Sequence, residues 1–159
     1  MAKVEQLVQQ LSDALRQHSW RISTAESCTG GKIAAAITDL AGSSDVFDVG
    51  WVTYSNAAKQ QQLHVPAALL AQYGAVSEEV ARAMAEGAAA GSGAEMAVAV
   101  TGVAGPGGGS AEKPVGTVWL AWHCQGRTYA EKQVFPGNRK EIREATVVRS
   151  LEKALTLLR

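Results

Sequence analysis

The stretch WRISTAESCTGGKIAAAITDLAG, residues 20–42, changes from a strand pattern to a helix pattern around a polar, glycine-containing centre. Its first part, residues 20–25, favours a short strand, and its last part, residues 30–42, is typical of a helix that ends at Gly42. The centre, TAESCTGG at 24–31, combines a carboxylate, hydroxyls, a thiol and two glycines. A loop that only connects a strand to a helix does not need so many reactive side chains, so we interpret the centre as an active-site loop.

The rest of the chain continues to alternate between helix and strand patterns. Apolar periodicity and capping residues predict further helices that begin near Val4, Ser55 or Asn56, Ser77 and Asn138, the last with Glu141 as a capping-box partner. Strand patterns follow at residues 44–55, 95–102, 115–124 and 127–135. The last two strands form a predicted hairpin. The pattern therefore indicates an α/β sandwich with a mixed sheet, which has parallel strands early and one antiparallel strand late. No internal repeat or boundary is visible, and residues 1–159 are predicted to form a single domain.

The composition of the 159-residue chain limits the classes of protein to which it can belong. Hydrophobic residues make up 47% and charged residues 19%, which supports a substantial core and argues against disorder. Basic and acidic residues both total 15, so no basic excess supports binding to nucleic acid or an acidic membrane. Cys28 and Cys124 are expected to be reduced thiols of a cytoplasmic protein. The chain starts with an amphipathic helix pattern rather than a signal peptide, and no segment reaches the length of a membrane span.

Ser27 is the candidate nucleophile of the loop at 24–31. Two glycines open the helix that follows, and backbone N–H groups there would suit a phosphate or a developing oxyanion. The loop is not a Walker phosphate loop, because Glu26 and Ile33 occupy positions where that motif needs a glycine and a hydroxyl. From the residues alone, the alternative is that Ser27 or Thr29 simply caps the helix.

A serine nucleophile needs a base, for which the chain offers three histidines and one suggestive lysine. We interpret the histidines, which are His18, His64 and His123, as structural or surface residues. Lys59 of TYSNAAK would lie in the first turns of a short helix, where the helix dipole and burial both lower the pKa of an amine. Tyr54, just upstream, could relay a proton. From the residues alone, a surface lysine beside a packed tyrosine is the simpler interpretation.

The segment after the apolar strand at 95–102 supplies further candidate binding groups. Thr101 and Gly102 should emerge at the carboxyl edge of a parallel sheet, where the ligand crevice of open α/β sheets lies. The glycine-rich loop at 103–114 could close over a substrate or donate amides to a phosphate. The alternative is a flexible connection without a role.

Two arginines near the start of the last predicted helix are candidate phosphate ligands. Arg139 and Arg143 are one helical turn apart, and a guanidinium at a helix N-terminus is well suited to hold a phosphate. The other charged residues of this helix are interpreted as a solvated face.

Five blocks of sequence, in this order, resemble the nicotinamide-nucleotide amidase family, which also occurs as the C-terminal domain of the competence/damage-inducible protein CinA. The blocks are TAESCTGG, GWVTYSNAAK, YGAVSEEVARAMAEGA, AVTGVAGPGGGSAEKPVGTVWLA and GNRKEIR. The similarity covers nearly the whole chain. It implies a three-layer α/β/α sandwich with a mixed, mostly parallel sheet. It also implies a homo-oligomer, commonly a dimer, without a metal or an organic cofactor.

The resemblance also implies an activity, the hydrolysis of the carboxamide of nicotinamide mononucleotide to nicotinic acid mononucleotide and ammonia. Matched onto this sequence, the family pattern makes Ser27 the nucleophile, Lys59 the base and Tyr54 the assisting hydroxyl. Thr101 and Gly102 would line the carboxamide site. Two other hypotheses stay open, namely a catalytically silent module that binds pyridine nucleotides and a serine amidase for another carboxamide.

Two parts of the expected substrate site are our own assignments. We expect the backbone amides of the loop to stabilise the oxyanion, and these belong to Cys28, Thr29, Gly30 and Gly31. We also expect Arg139 and Arg143 to hold the phosphate of the nucleotide. Small-molecule binding at this site, without nucleic acid or membrane partners, is the prediction that the sequence supports.

Overall fold

The computed structural model describes residues 2–159, in which five strands and six helices are formed. The strands are β1 (Ile22–Glu26), β2 (Phe47–Val52), β3 (Met96–Gly102), β4 (Thr117–Cys124) and β5 (Arg127–Val134). The helices are α1 (Ala2–His18), α2 (Lys32–Thr38), α3 (Asn56–Leu63), α4 (Ala67–Tyr73), α5 (Glu78–Ser92) and α6 (Arg139–Leu158). None of the helices in residues 2–159 is long and apolar enough to cross a membrane.

The five strands form one mixed sheet in the order β2-β1-β3-β4-β5. β1 pairs in parallel with β2 and β3, whereas β4 is antiparallel to both β3 and β5. Four strands of this sheet therefore point in one direction and β4 runs against them, which confirms the predicted late antiparallel strand. As a result, the carboxyl ends of β1, β2 and β3 meet at one edge of the sheet.

Helices cover both faces of the sheet and give the molecule three layers. On one face, α1, α2 and α6 pack against large apolar side chains of the strands, among them Ile22, Val98 and Trp122. On the other face, α3, α4 and α5 belong to a cluster in which the strands present small side chains such as Ala97 and Ala99. The α/β class with a mixed sheet is thus confirmed, and the three layers agree with the family resemblance.

The helix caps inferred from the sequence are found in the structure. Ser55 caps α3 by accepting a hydrogen bond from a backbone N–H three residues later, and Ser77 caps α5 in the same way. Asn138 and Glu141 form a full capping box at the start of α6. These caps matter for the site described below, because α3 and α6 both contribute side chains to it.

Three local predictions differ from the structure. α2 ends at Thr38 instead of Gly42, because Gly42 adopts a left-handed conformation with φ 83° and starts a 3-10 turn at Ser43–Asp45. β2 begins only after that turn, at Phe47. α4 is not among the predicted helices, because its seven residues after Pro66 are too few to show a clear helical period.

Candidate active site

The parallel strands bring three polar segments to the carboxyl edge of the sheet. Ser27 directly follows β1, Thr53 directly follows β2, and Thr101 lies near the end of β3. A cavity of about 320 Å³ opens at this edge. Its walls come from the loop after β1, the start of α3, the connection between α4 and α5, the glycine-rich loop after β3, and the first residue of α6. The topology therefore gathers segments that are far apart in sequence around one opening.

The side chain of Lys59 lies against Ser27 at the base of this cavity. Its Nζ is 3.0 Å from Ser27 Oγ, and it also donates to the carbonyl oxygens of Thr53 at 2.8 Å and Tyr54 at 3.4 Å. Carbonyl oxygens can only accept hydrogen bonds, so these two contacts use two N–H groups of the amine. A neutral amine has two N–H groups and one lone pair. In that state the lone pair is directed at the hydroxyl of Ser27.

Burial favours the neutral form of Lys59. The residue is 1% exposed, and desolvation lowers the pKa of its amine below the ordinary value of 10.5. The nearby Cys28 thiol has the opposite but smaller effect on this pKa. Within residues 2–159 no carboxylate forms an ion pair with the amine, so no opposite charge offsets the desolvation of an ammonium here. The lysine is therefore placed where it can act as a base.

Ser27 is held in place through its backbone. Its N–H donates to Val100 O at 3.1 Å, which extends the pairing of β1 with β3 by one residue. Its carbonyl accepts the N–H of Gly30 at 3.1 Å and so closes a turn over residues 27–30. The side chain is 9% exposed and lines the cavity. These bonds leave the hydroxyl directed at Lys59 and at whatever enters the cavity.

Tyr54 and Arg139 lie together at the mouth of the cavity. Arg139, the first residue of α6, donates to the hydroxyl of Tyr54 at 2.9 Å and to the carbonyl of Gly105 at 2.9 Å. Tyr54 is 60% exposed. Its backbone carbonyl contacts Lys59, whereas its hydroxyl bonds to the guanidinium. The structure thus brings Arg139 to the cavity and places the phenol at the rim.

Thr101 and Gly102 both line the cavity. Thr101 is buried, and its hydroxyl donates to Ala75 O at 2.9 Å, which ties the end of β3 to the connection between α4 and α5. Gly102 has no room for a side chain, because a Cβ there would lie 2.7 Å from a methyl group of Val118. These two residues therefore form part of the cavity wall.

The remaining predicted residues of the first loop are placed differently from one another. Cys28 is 5% exposed and lines the cavity, and burial raises the pKa of its thiol to about 12. Thr29 is fully buried, Gly30 is exposed, and Gly31 is the N-cap of α2. The lining of the cavity does not include these last three residues. Cys28 is therefore the member of this group that reaches the cavity wall.

Arg143 is also outside the lining of the cavity. Its guanidinium donates from Nε to Cys28 O at 3.1 Å and from Nη2 to Thr29 O at 3.0 Å. Both bonds hold the loop that carries Ser27. The two arginines that the sequence suggests as phosphate ligands thus occupy different environments, one at the cavity mouth and one behind the loop.

Comparison with known proteins places the chain in a family. A family model described as the CinA C-terminal domain matches residues 4–158. This chain belongs to the CinA C-terminal domain family. The CinA domain is 53% identical over 157 residues to a nicotinamide-nucleotide amidohydrolase PncC from Pseudomonas putida, with 99% of this chain and 98% of that protein covered. A second protein of that name, from Enterobacter agglomerans, is 52% identical over 154 residues and covers 96% of this chain and 94% of its own length.

A solved structure of high similarity supports the same family. The crystal structure of the competence/damage inducible protein CihA from Agrobacterium tumefaciens superposes on the CinA domain with a TM-score of 0.96. The two chains are 47% identical, and the superposition covers 99% of this chain and 96% of that one. The family expected from the five sequence blocks is confirmed.

Glu26 has a structural role in the CinA domain that was not predicted from the sequence. It ends β1, is 1% exposed, and accepts the N–H groups of Ile33 at 2.9 Å and Ala34 at 3.0 Å. It also accepts the hydroxyl of Thr29 at 2.5 Å. The available signal was an acidic residue just before a helix start, where a carboxylate is favourable.

This carboxylate corrects one sequence expectation about the CinA domain. The helix that follows the two glycines was expected to present N–H groups to a ligand, but those of Ile33 and Ala34 are used internally by Glu26. The amides of Cys28 to Gly31, which we assign to the oxyanion, are not among them. The alternative in which Ser27 or Thr29 caps α2 is wrong as well, because the N-cap is Gly31 and no side chain caps from that position. The physical reason is that a buried carboxylate must be fully hydrogen-bonded, and the helix start supplies the donors.

No cluster of three or more His, Cys, Asp or Glu side chains in residues 2–159 is arranged to hold a metal ion. The cavity lining instead offers two hydroxyls, a thiol, an amine, a phenol, a side-chain amide, a guanidinium and backbone amides. Such a set suits nucleophilic attack on a carbonyl carbon, with the amine as base.

Proposed function

We propose that this CinA domain hydrolyses the carboxamide of nicotinamide mononucleotide and releases nicotinic acid mononucleotide and ammonia. One observation carries the proposal: the amine of Lys59, buried and held by two carbonyls, lies 3.0 Å from the hydroxyl of Ser27 at the base of a cavity. The names of the two similar amidohydrolases support the choice of substrate.

In the first step, the lone pair of neutral Lys59 takes the proton of Ser27 while Oγ attacks the carboxamide carbon. The carbonyl oxygen becomes an oxyanion. In the turn at 27–30 the N–H groups of Ser27 and Gly30 are bonded to Val100 O and Ser27 O, so we assign the oxyanion first to the N–H of Cys28, which lines the cavity. The carbon–nitrogen bond then breaks, and the protonated Lys59 gives its proton to the departing nitrogen. The products are ammonia and an ester between Ser27 and the nicotinoyl group.

In the second step, water replaces ammonia at the same position. Lys59, neutral again, takes a proton from the water, whose oxygen attacks the ester carbon. Collapse of this intermediate breaks the bond to Ser27 Oγ, and Lys59 returns the proton to the serine. The acid product loses its proton to solvent water, leaves as a carboxylate, and the enzyme is restored. One lysine serves both steps, because in each step Lys59 first takes a proton from the attacking oxygen and then gives it to the leaving group.

Arg139 is the group that we assign to the phosphate of the substrate. Its guanidinium lines the cavity and uses two of its five N–H donors on Tyr54 and Gly105, so donors remain for an anion. It stands on the first residue of α6, where the helix dipole also favours a negative charge. The exposed ring of Tyr54 beside it offers an apolar face to the ribose or the pyridine ring.

The amidase assignment is tested by measuring ammonia release from nicotinamide mononucleotide by wild type and Ser27→Ala. We expect turnover by wild type and a loss of nearly all activity in the variant, with an unchanged unfolding temperature. Turnover of the variant close to that of wild type would reject the nucleophile. A wild-type protein that binds the mononucleotide without releasing ammonia would be a binding module, and release from other amides only would indicate a different amidase.

The phosphate assignment is tested by comparing nicotinamide mononucleotide with nicotinamide riboside. Arg139→Ala is expected to raise KM for the nucleotide more than for the riboside, because only the nucleotide carries the anion. Lys140→Ala is the matched control, since it removes an exposed positive charge from the next position. Equal effects of Arg139→Ala on both substrates would remove the phosphate role.

We also propose that residues 1–159 act as a single cytoplasmic domain that assembles as a homodimer. The free state of both cysteines is compatible with a reducing compartment. The dimer rests on the family resemblance, and sedimentation analysis of the purified protein tests it. A monomer at micromolar concentration would contradict it.

A further inference from the structure

Arg143 links α6 to the loop that carries the nucleophile. Its guanidinium is half-buried and donates to two successive backbone carbonyls, those of Cys28 and Thr29, at 3.1 and 3.0 Å. These are the two residues that follow Ser27. A planar guanidinium with several donors can hold two carbonyls in a fixed relative orientation, which a lysine amine cannot do as well.

The two bonds determine where the amide N–H groups of the turn point. In a trans peptide the C=O and the N–H of the next residue point in opposite directions. The N–H groups of Thr29 and Gly30 must therefore point away from Arg143. The N–H of Gly30 does so and reaches Ser27 O at 3.1 Å, whereas the N–H of Thr29 has no acceptor within residues 2–159.

The positive charge strengthens these N–H groups as donors. A hydrogen bond from a cation to a carbonyl is stronger than a neutral one, and it polarises the peptide to which it is made. The peptide between Cys28 and Thr29 receives one such bond, and its N–H is thereby a better donor to a developing negative charge. The guanidinium does this from behind the loop, without occupying the cavity.

A second anchor holds the same turn from inside the fold. The carboxylate of Glu26 accepts the hydroxyl of Thr29, while Arg143 binds the carbonyl of the same residue. The turn is thus fixed by a cation on one side and an anion on the other. A loop held in this way keeps its conformation while the charge on the substrate changes, which is the condition for effective oxyanion stabilisation.

We propose that Arg143 is a positioning residue of the amidase reaction, which holds the turn at 27–30 so that Ser27 and the backbone amide of Cys28 face the scissile carboxamide. This inference rests on the proposed function for its kinetic part. It assigns Arg143 to the chemical step and leaves the phosphate to Arg139, which makes different predictions for kcat and KM.

The kinetic test compares Arg143→Ala with Arg139→Ala under the same conditions. Arg143→Ala is expected to lower kcat about 10²-fold, the size of effect seen when an oxyanion donor or its geometry is lost, with KM changed less than about threefold. Arg139→Ala should mainly raise KM. Guanidinium chloride at low millimolar concentration should restore part of the kcat of Arg143→Ala and none of the activity of Ser27→Ala. A raised KM with normal kcat in Arg143→Ala would overturn the proposal.

A second measurement does not depend on activity. In a Cys124→Ser background, the rate at which a thiol reagent labels Cys28 reports how often the loop opens, since that side chain is 5% exposed. Arg143→Ala should raise this rate about tenfold or more, and Arg143→Lys should raise it less because one bond can be kept. Lys140→Ala should leave it unchanged. An unchanged rate in Arg143→Ala would overturn the positioning role.

The two measurements separate the possible failures. If wild type releases no ammonia but Arg143→Ala still raises the labelling rate of Cys28, the proposed function fails, while the role of Arg143 in holding the loop stands. If wild type is active and Arg143→Ala has normal kcat and normal labelling, the positioning role fails while the proposed function stands. If Arg143→Ala does not fold, the same readouts on Arg143→Lys decide between these outcomes.

Discussion

Replacing Lys59 by methionine tests the base while keeping an unbranched side chain in the buried site. The amine is the one basic group within 3.0 Å of Ser27 Oγ among residues 2–159, so its removal leaves the serine without a proton acceptor. General bases contribute about 10²–10⁴-fold to rates, and we expect kcat to fall by that amount in Lys59→Met. Because the two residues act as a unit, the double variant with Ser27→Ala should be no slower than Ser27→Ala alone.

The same substitution has a predictable effect on stability. Thr53 O, which is buried, loses its donor at 2.8 Å, and an unsatisfied buried carbonyl costs about 1–3 kcal/mol. Tyr54 O, on an exposed residue, can turn to water instead. Removal of a desolvated amine offsets part of this cost. For a chain of this length, each kcal/mol corresponds to roughly 2–4 °C in Tm, so Lys59→Met should unfold a few degrees below wild type.

The assay measures ammonia release at saturating nicotinamide mononucleotide and 25 °C, where a fall in Tm of a few degrees leaves the protein folded. Gln61→Met, at an exposed position of the same helix, is the matched control and should behave as wild type in both measurements. A kcat of Lys59→Met within a factor of ten of wild type would refute the assignment of the base. A double variant far slower than Ser27→Ala would refute the idea that the pair acts as one unit.

Three further outcomes follow from the buried groups. Because burial lowers the pKa of Lys59, kcat/KM of wild type should rise with pH and level off below 10.5. Between that lowered pKa and 10.5 the unfolded chain binds more protons at this lysine than the folded chain does, so the unfolding free energy measured with urea should rise with pH in that interval. A plateau only above 10.5 would contradict the shift. Cys28→Ser should keep kcat within about tenfold of wild type, since a thiol with a pKa of about 12 is not a thiolate at neutral pH. A folded but inactive variant would indicate that the thiol takes part in the chemistry. Gly87→Ala should lower Tm, because a Cβ at this position would lie 2.1 Å from Leu63 O. Overpacking costs about 1–3 kcal/mol, which exceeds the gain of about 0.5–1 kcal/mol from the higher helix propensity of alanine. An unchanged Tm would show that α3 can move aside.

Periodic and capped elements could be predicted from the sequence with good boundaries. α6 begins at the residue after Asn138, as the capping-box spacing indicates, and β3 is buried on both faces, as its unbroken apolar run indicates. α4 was missed because a helix of seven residues shows barely two turns of pattern. The end of α2 was misplaced because Gly42 starts a new turn instead of stopping the helix.

The candidate site was only partly visible in the sequence. Ser27 stands out because its neighbours combine polar and glycine residues, whereas Lys59 looked like a surface residue until the family resemblance was considered. Glu26 was overlooked because its partners are backbone amides, which have no signature in the sequence. The same holds for the carbonyls of Thr53 and Tyr54 that orient the lysine.

The sequence by itself determined the α/β class, the order of the elements, the helix caps and the family, because these depend on local periodicity and on long shared blocks of residues. Only the tertiary structure decided which arginine reaches the cavity and which binds the loop that carries Ser27. In the sequence, Arg139 and Arg143 are the same residue type one helical turn apart and cannot be told apart. It also decided that the lysine is buried, which is what shifts its pKa. The short distance between Lys59 and Ser27 and the desolvation of the amine arise only when the carboxyl ends of three parallel strands meet at one edge of the sheet. No single segment of the chain contains that information.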